Sequence, residues 1–176
     1  LVEQYLDELF EVEGVQATGF KLMLSQVKKF PSIMPYMRTH AVSAIHIIRN
    51  NALKTFISRL SARERKLYHT PENLKLRKVH IPVVNLRRNL VLVESEKEEW
   101  KRRLAGIQTL EVHYEDILRD EALVMTDIQK FIGVDCVDEL KSRLLKINPD
   151  NLANLIENYD EVRHCLEGTS FERYLS

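Results

Sequence analysis

Hydrophobic positions along this chain alternate between helical and strand-like blocks. Val2, Tyr5, Leu6, Leu9 and Phe10 recur at helical spacing over residues 1–12, which predicts an amphipathic helix ended by Gly14. Residues 17–24 (ATGFKLML) are short and mostly apolar and read as a buried strand. Pro31 and Pro35 then confine helix to short pieces, because proline lacks a backbone donor and clashes inside a helix. Residues 41–49 (AVSAIHIIR) carry the strongest strand pattern, a β-branched run of Ile45, Ile47 and Ile48 interrupted only by His46. Such near-continuous apolarity suits a central parallel strand covered on both faces.

Asn50-Asn51 makes a tight exit into a helix beginning near Ala52, with Leu53, Phe56, Ile57 and Leu60 on one face. Residues 67–83 contain two prolines and mixed polarity and read as a long loop. A strong helix pattern over 85–105 turns at Gly106 into a strand at 109–114, and a further helix over 121–132 stops at Gly133. Residues 137–167 predict two or three helices, broken at Asn148-Pro149 and at Asn158. Strands alternating with crossover-length helices predict an α/β fold, a parallel sheet flanked by helices and helix-rich by residue count.

The 176 residues suffice for one domain with a core. Their 26 basic and 26 acidic side chains cancel, which argues against a nucleic-acid surface and against a polybasic membrane anchor. No apolar run reaches the roughly 18 residues of a membrane helix. Two cysteines, Cys136 and Cys165, are too few for a disulfide framework or a cysteine-rich zinc site and suit a reducing, cytoplasmic compartment.

The chemistry concentrates at the predicted strand-to-helix corner. Ligands of open α/β sheets sit beyond the carboxyl ends of strands. A helix N-terminus there offers N–H groups and a positive dipole end to an anion. Arg49 at the strand tip can add a forked contact to a phosphate, and Ser58 can reach the same group if its hydroxyl faces the corner. The plainer reading is a strand-end arginine and a solvated helix serine.

With those residues in view, the corner resembles the 3′-phosphate-binding motif of sulfotransferases that use 3′-phosphoadenosine-5′-phosphosulfate (PAPS). In that family a strand ends in Arg-Asn and a helix Ser follows eight residues after the Arg. Here Ser58 lies nine residues after Arg49 and eight after Asn50. Some bacterial members carry two arginines before the Asn, and Asn50 then stands in the second one's place. Val112-His113-Tyr114-Glu115-Asp116-Ile117-Leu118, with Phe131-Ile132-Gly133-Val134 after it, is similar to the family's V-x-Y-E-D-L … F-L-G-V stretch. Glu115 and Asp116 read there as helix-capping residues rather than acid/base machinery. Lys21-Leu22-Met23 resembles in position a strand end that commonly reads Lys-Thr-His, which leaves Lys21 as the candidate catalytic cation and no histidine as base. A lysine beside Gly19 can equally snorkel to solvent. Residues 156–169, with Ile156, Asn158, Tyr159, Glu161, Val162 and then Leu166-Glu167-Gly168-Thr169, resemble the family's C-terminal stretch. Gly168 and Thr169 are thereby expected beside the nucleotide, although a helix ending at Gly168 explains them as well.

Together these motifs span roughly residues 17–175. They imply a P-loop NTPase-like sulfotransferase fold in a single domain over 1–176, with PAPS as co-substrate. The partner is then a small-molecule or carbohydrate acceptor presenting a hydroxyl or amine, and an oligomer is compatible with the sequence. None of the five isolated glycines belongs to a phosphosulfate-gripping loop, so an N-terminally incomplete fold and an incomplete PAPS site are expected. His40, His46, His69, His80 and His113 are scattered and none is assigned as base; Tyr68, His69 and His80 lie on the loop expected to face the acceptor. Two alternatives remain open, a catalytically inactive nucleotide-binding module and an interaction protein whose 85–105 helix packs on a partner.

Overall fold

The structure, a computed structural model, describes residues 2–65, 78–137, 140 and 151–175. Tyr68, His69 and Asn148-Pro149 therefore lie outside the described residues. The chain gathers into two compact units, Leu1–Ile48 with Glu96–Leu140, and Arg49–Ser95 with Lys141–Ser176. It is α/β and helix-rich, and the described strands form one two-stranded parallel sheet.

The first unit opens with α1 (Val2–Phe10), α2 (Leu24–Lys29) and α3 (Ile33–Thr39). Leu6 of α1 is buried against Val27, Ile33, Met34, Tyr36 and Met37, so the helical spacing of its apolar residues is used as expected, while Tyr5 stays exposed. Tyr36 donates its hydroxyl to Asp7 Oδ1 at 2.7 Å. That bond, with burial adding to it, pushes the Tyr36 phenol up to about 12. Pro35 falls in the first turn of α3, where the missing N–H has no intrahelical partner to lose.

The expected strand at 17–24 does not form. Phe20 and Leu22 pack partly into the core while Lys21 and Met23 are exposed, and the segment runs without a ladder into α2. Gln26 closes this entry by accepting the Met23 N–H at 2.7 Å. Alternate burial was present, but no described strand lies alongside to turn it into sheet.

The sheet pairs β1 (Ala44–Ile48) with β2 (Thr109–His113) in register Ala44↔Thr109 to Ile48↔His113. Ile45 and Ile47 are 39% and 59% exposed, so the expectation of a strand covered on both faces is corrected. β2 runs directly into α6 (Tyr114–Arg119), with Glu115 and Asp116 in its first turn, where their charge suits the helix dipole. The N-cap position is His113 and no side chain caps it, which corrects the capping half of the expectation. Asp120 then caps α7 (Glu121–Ile132) by accepting the Leu123 N–H at 3.0 Å. Gly133, at φ 72, ends α7 in the left-handed conformation that glycine adopts without strain.

The second unit holds α4 (Ala52–Arg65), and α5 (Leu86–Leu104) begins in it after a 3₁₀ turn at Val83–Asn85. It closes with α8 (Leu152–Leu155), α9 (Tyr159–Leu166) and a 3₁₀ turn at Glu172–Tyr174. Leu53 and Ile57 of α4 are fully buried with Ile81, Leu86, Leu90, Ile156, Val162 and Leu166. The end of the expected 67–83 loop is core rather than excursion. Val79 bridges Ile156, and its N–H donates to Leu155 O at 2.8 Å. The Asn158 amide clamps Ile81, accepting its N–H and donating to its carbonyl, both at 2.9 Å.

Ile57→Ala is expected to cost about 2–5 kcal/mol, the usual penalty of an unfilled core site, read from the urea midpoint. Val84→Ala, at a position 90% exposed, should change that midpoint by no more than about 0.5 kcal/mol.

Candidate functional site at the start of α4

Arg49, Asn50 and Asn51 follow β1 directly and lead into α4. Asn51 is the cap. Its Oδ1 accepts the Lys54 N–H at 2.9 Å, and its carbonyl accepts the Thr55 N–H at 3.1 Å and the Thr55 hydroxyl at 3.1 Å. Helix geometry leaves the N–H groups of Ala52 and Leu53 outside the helical ladder, at the positive end of the α4 dipole. Arg49 Nη1 donates to the carbonyl of Lys54 in this turn at 3.3 Å. Asn50 is exposed and Ser58 half-buried.

Ser58 shares a helix face with Asn51 seven residues before it, about 10 Å along the axis. An anion touching Arg49 and Ser58 together must therefore lie along the flank of α4 rather than beyond its tip.

The C-terminal segment meets the same turn. Asn51 Nδ2 donates to Tyr174 O at 2.9 Å. Tyr174 in turn donates its hydroxyl to Glu94 Oε1, which also accepts from Arg173 at 2.7 Å. Burial and the Glu94 bond raise the Tyr174 phenol above its usual range. Gly168 and Thr169 are committed to their own turn. The Gly168 N–H donates to Glu172 Oε2 at 3.0 Å, and the Thr169 hydroxyl donates to Leu166 O at 2.6 Å while accepting the Phe171 N–H at 3.2 Å. Gly168 sits at φ 68 just past α9, as a helix end requires.

Lys21 belongs to the first unit and is exposed. His80 is exposed too. His46, left unassigned from sequence, stands on β1 opposite Glu111 of β2, with Nδ1–Oε1 at 3.8 Å and the Trp100 ring 6.0 Å away. Burial lowers its pKa, the Glu111 carboxylate opposes that shift, and Lys101 adds to it. The His46–Glu111 distance is too long for a hydrogen bond, which leaves burial dominant.

Arg49, Asn50 and Ser58 stand on the elements the sequence pattern predicts, while Asn51, expected only as part of the tight exit from β1, is the cap of α4, and Tyr174 was not expected beside it. Asn immediately before an apolar-periodic helix is a capping signal, so Asn51 was findable; the carbonyl of Tyr174 carried none. Among the described residues no cluster of His, Cys, Asp and Glu could hold a metal ion, and no helix is long and apolar enough to cross a membrane. No protein-family description, curated protein or solved structure matches the chain.

Asn51→Ala should lower stability by at least about 1 kcal/mol, since it removes a cap and strips Tyr174 O of its partner. Acid sensitivity should also change with His46. Its folded-state pKa lies below the unfolded value, so its contribution is complete above about pH 6.5 and is lost as pH falls through that value toward the folded pKa. His46→Gln is expected to flatten the urea midpoint between neutral pH and pH about 5; parallel profiles for the two proteins would contradict this assignment.

Proposed function

We propose that the chain is a sulfotransferase-like protein that holds the 3′-phosphate of PAPS along the start of α4. The observation that supports this reading most directly is the corner itself, where half-buried Arg49 follows β1 and donates Nη1 to Lys54 O in the first turn of α4, with Asn50 exposed beside it. Arg49 and the positive end of the α4 dipole supply the charge, and Asn50 and Ser58 supply neutral hydrogen bonds from the flank. Gly168 and Thr169 act here through the turn they build rather than through free donors, since their N–H and hydroxyl groups are engaged locally.

The reaction that fits this cofactor moves a sulfuryl group to a hydroxyl or amine. The acceptor's bond to sulfur forms as the bond from sulfur to the bridging oxygen breaks, adenosine 3′,5′-bisphosphate leaves, and the acceptor proton passes to a base. Lys21 is the residue assigned to the charge on the transferring oxygens. A second reading, an inactive nucleotide-binding module, keeps the same anion site and dispenses with Lys21; its exposed position favours that version.

Isothermal titration with adenosine 3′,5′-bisphosphate tests the site. Binding that weakens at least about tenfold in Arg49→Ala, the loss of one charge-assisted phosphate contact, is the expected result. No heat at millimolar ligand would overturn the reading.

A further inference from the structure

One chain of hydrogen bonds in the second unit ends on the candidate anion site. Tyr174 O accepts from Asn51 Nδ2 at 2.9 Å, Asn51 Oδ1 accepts the Lys54 N–H at 2.9 Å, and Lys54 O accepts from Arg49 Nη1 at 3.3 Å. All four residues belong to that unit. Oδ1 and Nδ2 of Asn51 are each engaged, which fixes the orientation of its amide. Serine in its place would keep a capping oxygen and lose the donor that reaches Tyr174 O.

The far end of the chain is a small turn with a second hold. The Tyr174 hydroxyl and Arg173 Nη2 both donate to Glu94 Oε1 on α5, and Arg173 also donates to the Tyr174 hydroxyl at 3.0 Å. The backbone bonds printed by the turn are local, from the Tyr174 N–H to Phe171 O and from the Leu175 N–H to Glu172 O, both at 3.0 Å. Its seat on the unit thus rests on Asn51, on Glu94 and on the buried rings of Phe171 and Tyr174. The Arg173–Glu94 pair is largely exposed and adds little. A segment seated by so few contacts opens at a lower free energy than the whole unit.

We propose that the Glu172–Tyr174 turn is a latch on the α4 corner, with Asn51, Tyr174 and Glu94 as positioning residues for anion binding. Docked, the turn fixes the Asn51 amide, and through it the Lys54 residue whose carbonyl receives Arg49. Released, it leaves Asn51 Nδ2 without that acceptor and free to rotate, so Lys54 loses its cap and the Arg49 end of the chain loosens. Linked hydrogen bonds polarise one another, so losing the first weakens the next. The inference rests on the 3′-phosphate reading of this corner and adds to it a control that no ligand contact supplies. Coupling of this kind is reciprocal: the turn strengthens ligand binding by the same factor by which the ligand strengthens docking of the turn. A residue that only stabilised the fold would show no such exchange.

Isothermal titration with adenosine 3′,5′-bisphosphate compares the full chain with Tyr174→Phe, which keeps the buried ring and drops the hydroxyl, and with Asn51→Ser, which keeps a cap. Each variant is expected to bind about fivefold more weakly, the worth of one hydrogen bond, with an unchanged circular-dichroism spectrum. Saturating ligand is expected to slow hydrogen exchange of the Tyr174 and Leu175 amides by a similar factor in the parent chain, and to leave them unchanged in Asn51→Ser. Parent-like affinity in both variants, or amides whose exchange the ligand does not alter in the parent chain, would overturn the latch and leave the anion site standing. No heat from the parent chain would overturn the 3′-phosphate reading and the latch with it.

Discussion

The second unit depends on the amide of Asn51. A helix whose Leu53 and Ile57 are fully buried has one workable rotation, and its first turn must still satisfy its own donors. Asn51 does this with Oδ1 on the Lys54 N–H, and with Nδ2 it fixes the carbonyl of Tyr174, 123 residues away in sequence. The bond that starts the helix therefore also seats the end of the described chain. Phe171 and Tyr174, with ring centroids 6.3 Å apart, then belong to the same core as Leu86 and Leu90. The Tyr174 hydroxyl finds Glu94 as a consequence, which gives a buried aromatic ring the polar partner it requires.

Asn158 follows the same economy. Its amide pairs with both backbone groups of Ile81, as a neighbouring strand would, and lets a fully buried isoleucine sit in a segment without helix or sheet. In the sequence this asparagine looks only like a helix breaker. Its neighbours Ile156 and Val79 complete the seam through a single bridge. Unpaired buried backbone groups cost too much to tolerate, so side-chain amides stand in where regular structure stops.

The candidate anion site takes its character from what surrounds it. Because Gly168 and Thr169 hold their own turn together, positive charge at the start of α4 rests on Arg49 and on the helix dipole. β1, which delivers Arg49, is asymmetric. Ile48 is 8% exposed and Ile47 59%, so successive residues of one strand meet a packed side and an open one. A strand of period two with apolar residues on both faces demands two covers, and the described residues supply one.

The periodic signals were legible from the sequence alone. Helices at α1, α4, α5 and α7, strands at β1 and β2, and the ends at Gly133 and Gly168 all follow from local spacing and from backbone conformations that one residue type favours. The residues of the α4 corner were legible for the same reason, since a strand tip, a capping asparagine and a helix serine are neighbours in sequence. Three features depended on distant partners. Residues 17–24 had strand-like burial but met no strand among the described residues; Asn51 met Tyr174; and Ile81 was received by Asn158. Local propensity states what a segment can become. Which backbone groups face it across the fold, and whether a second cover reaches β1, are non-local facts that only the tertiary structure decides.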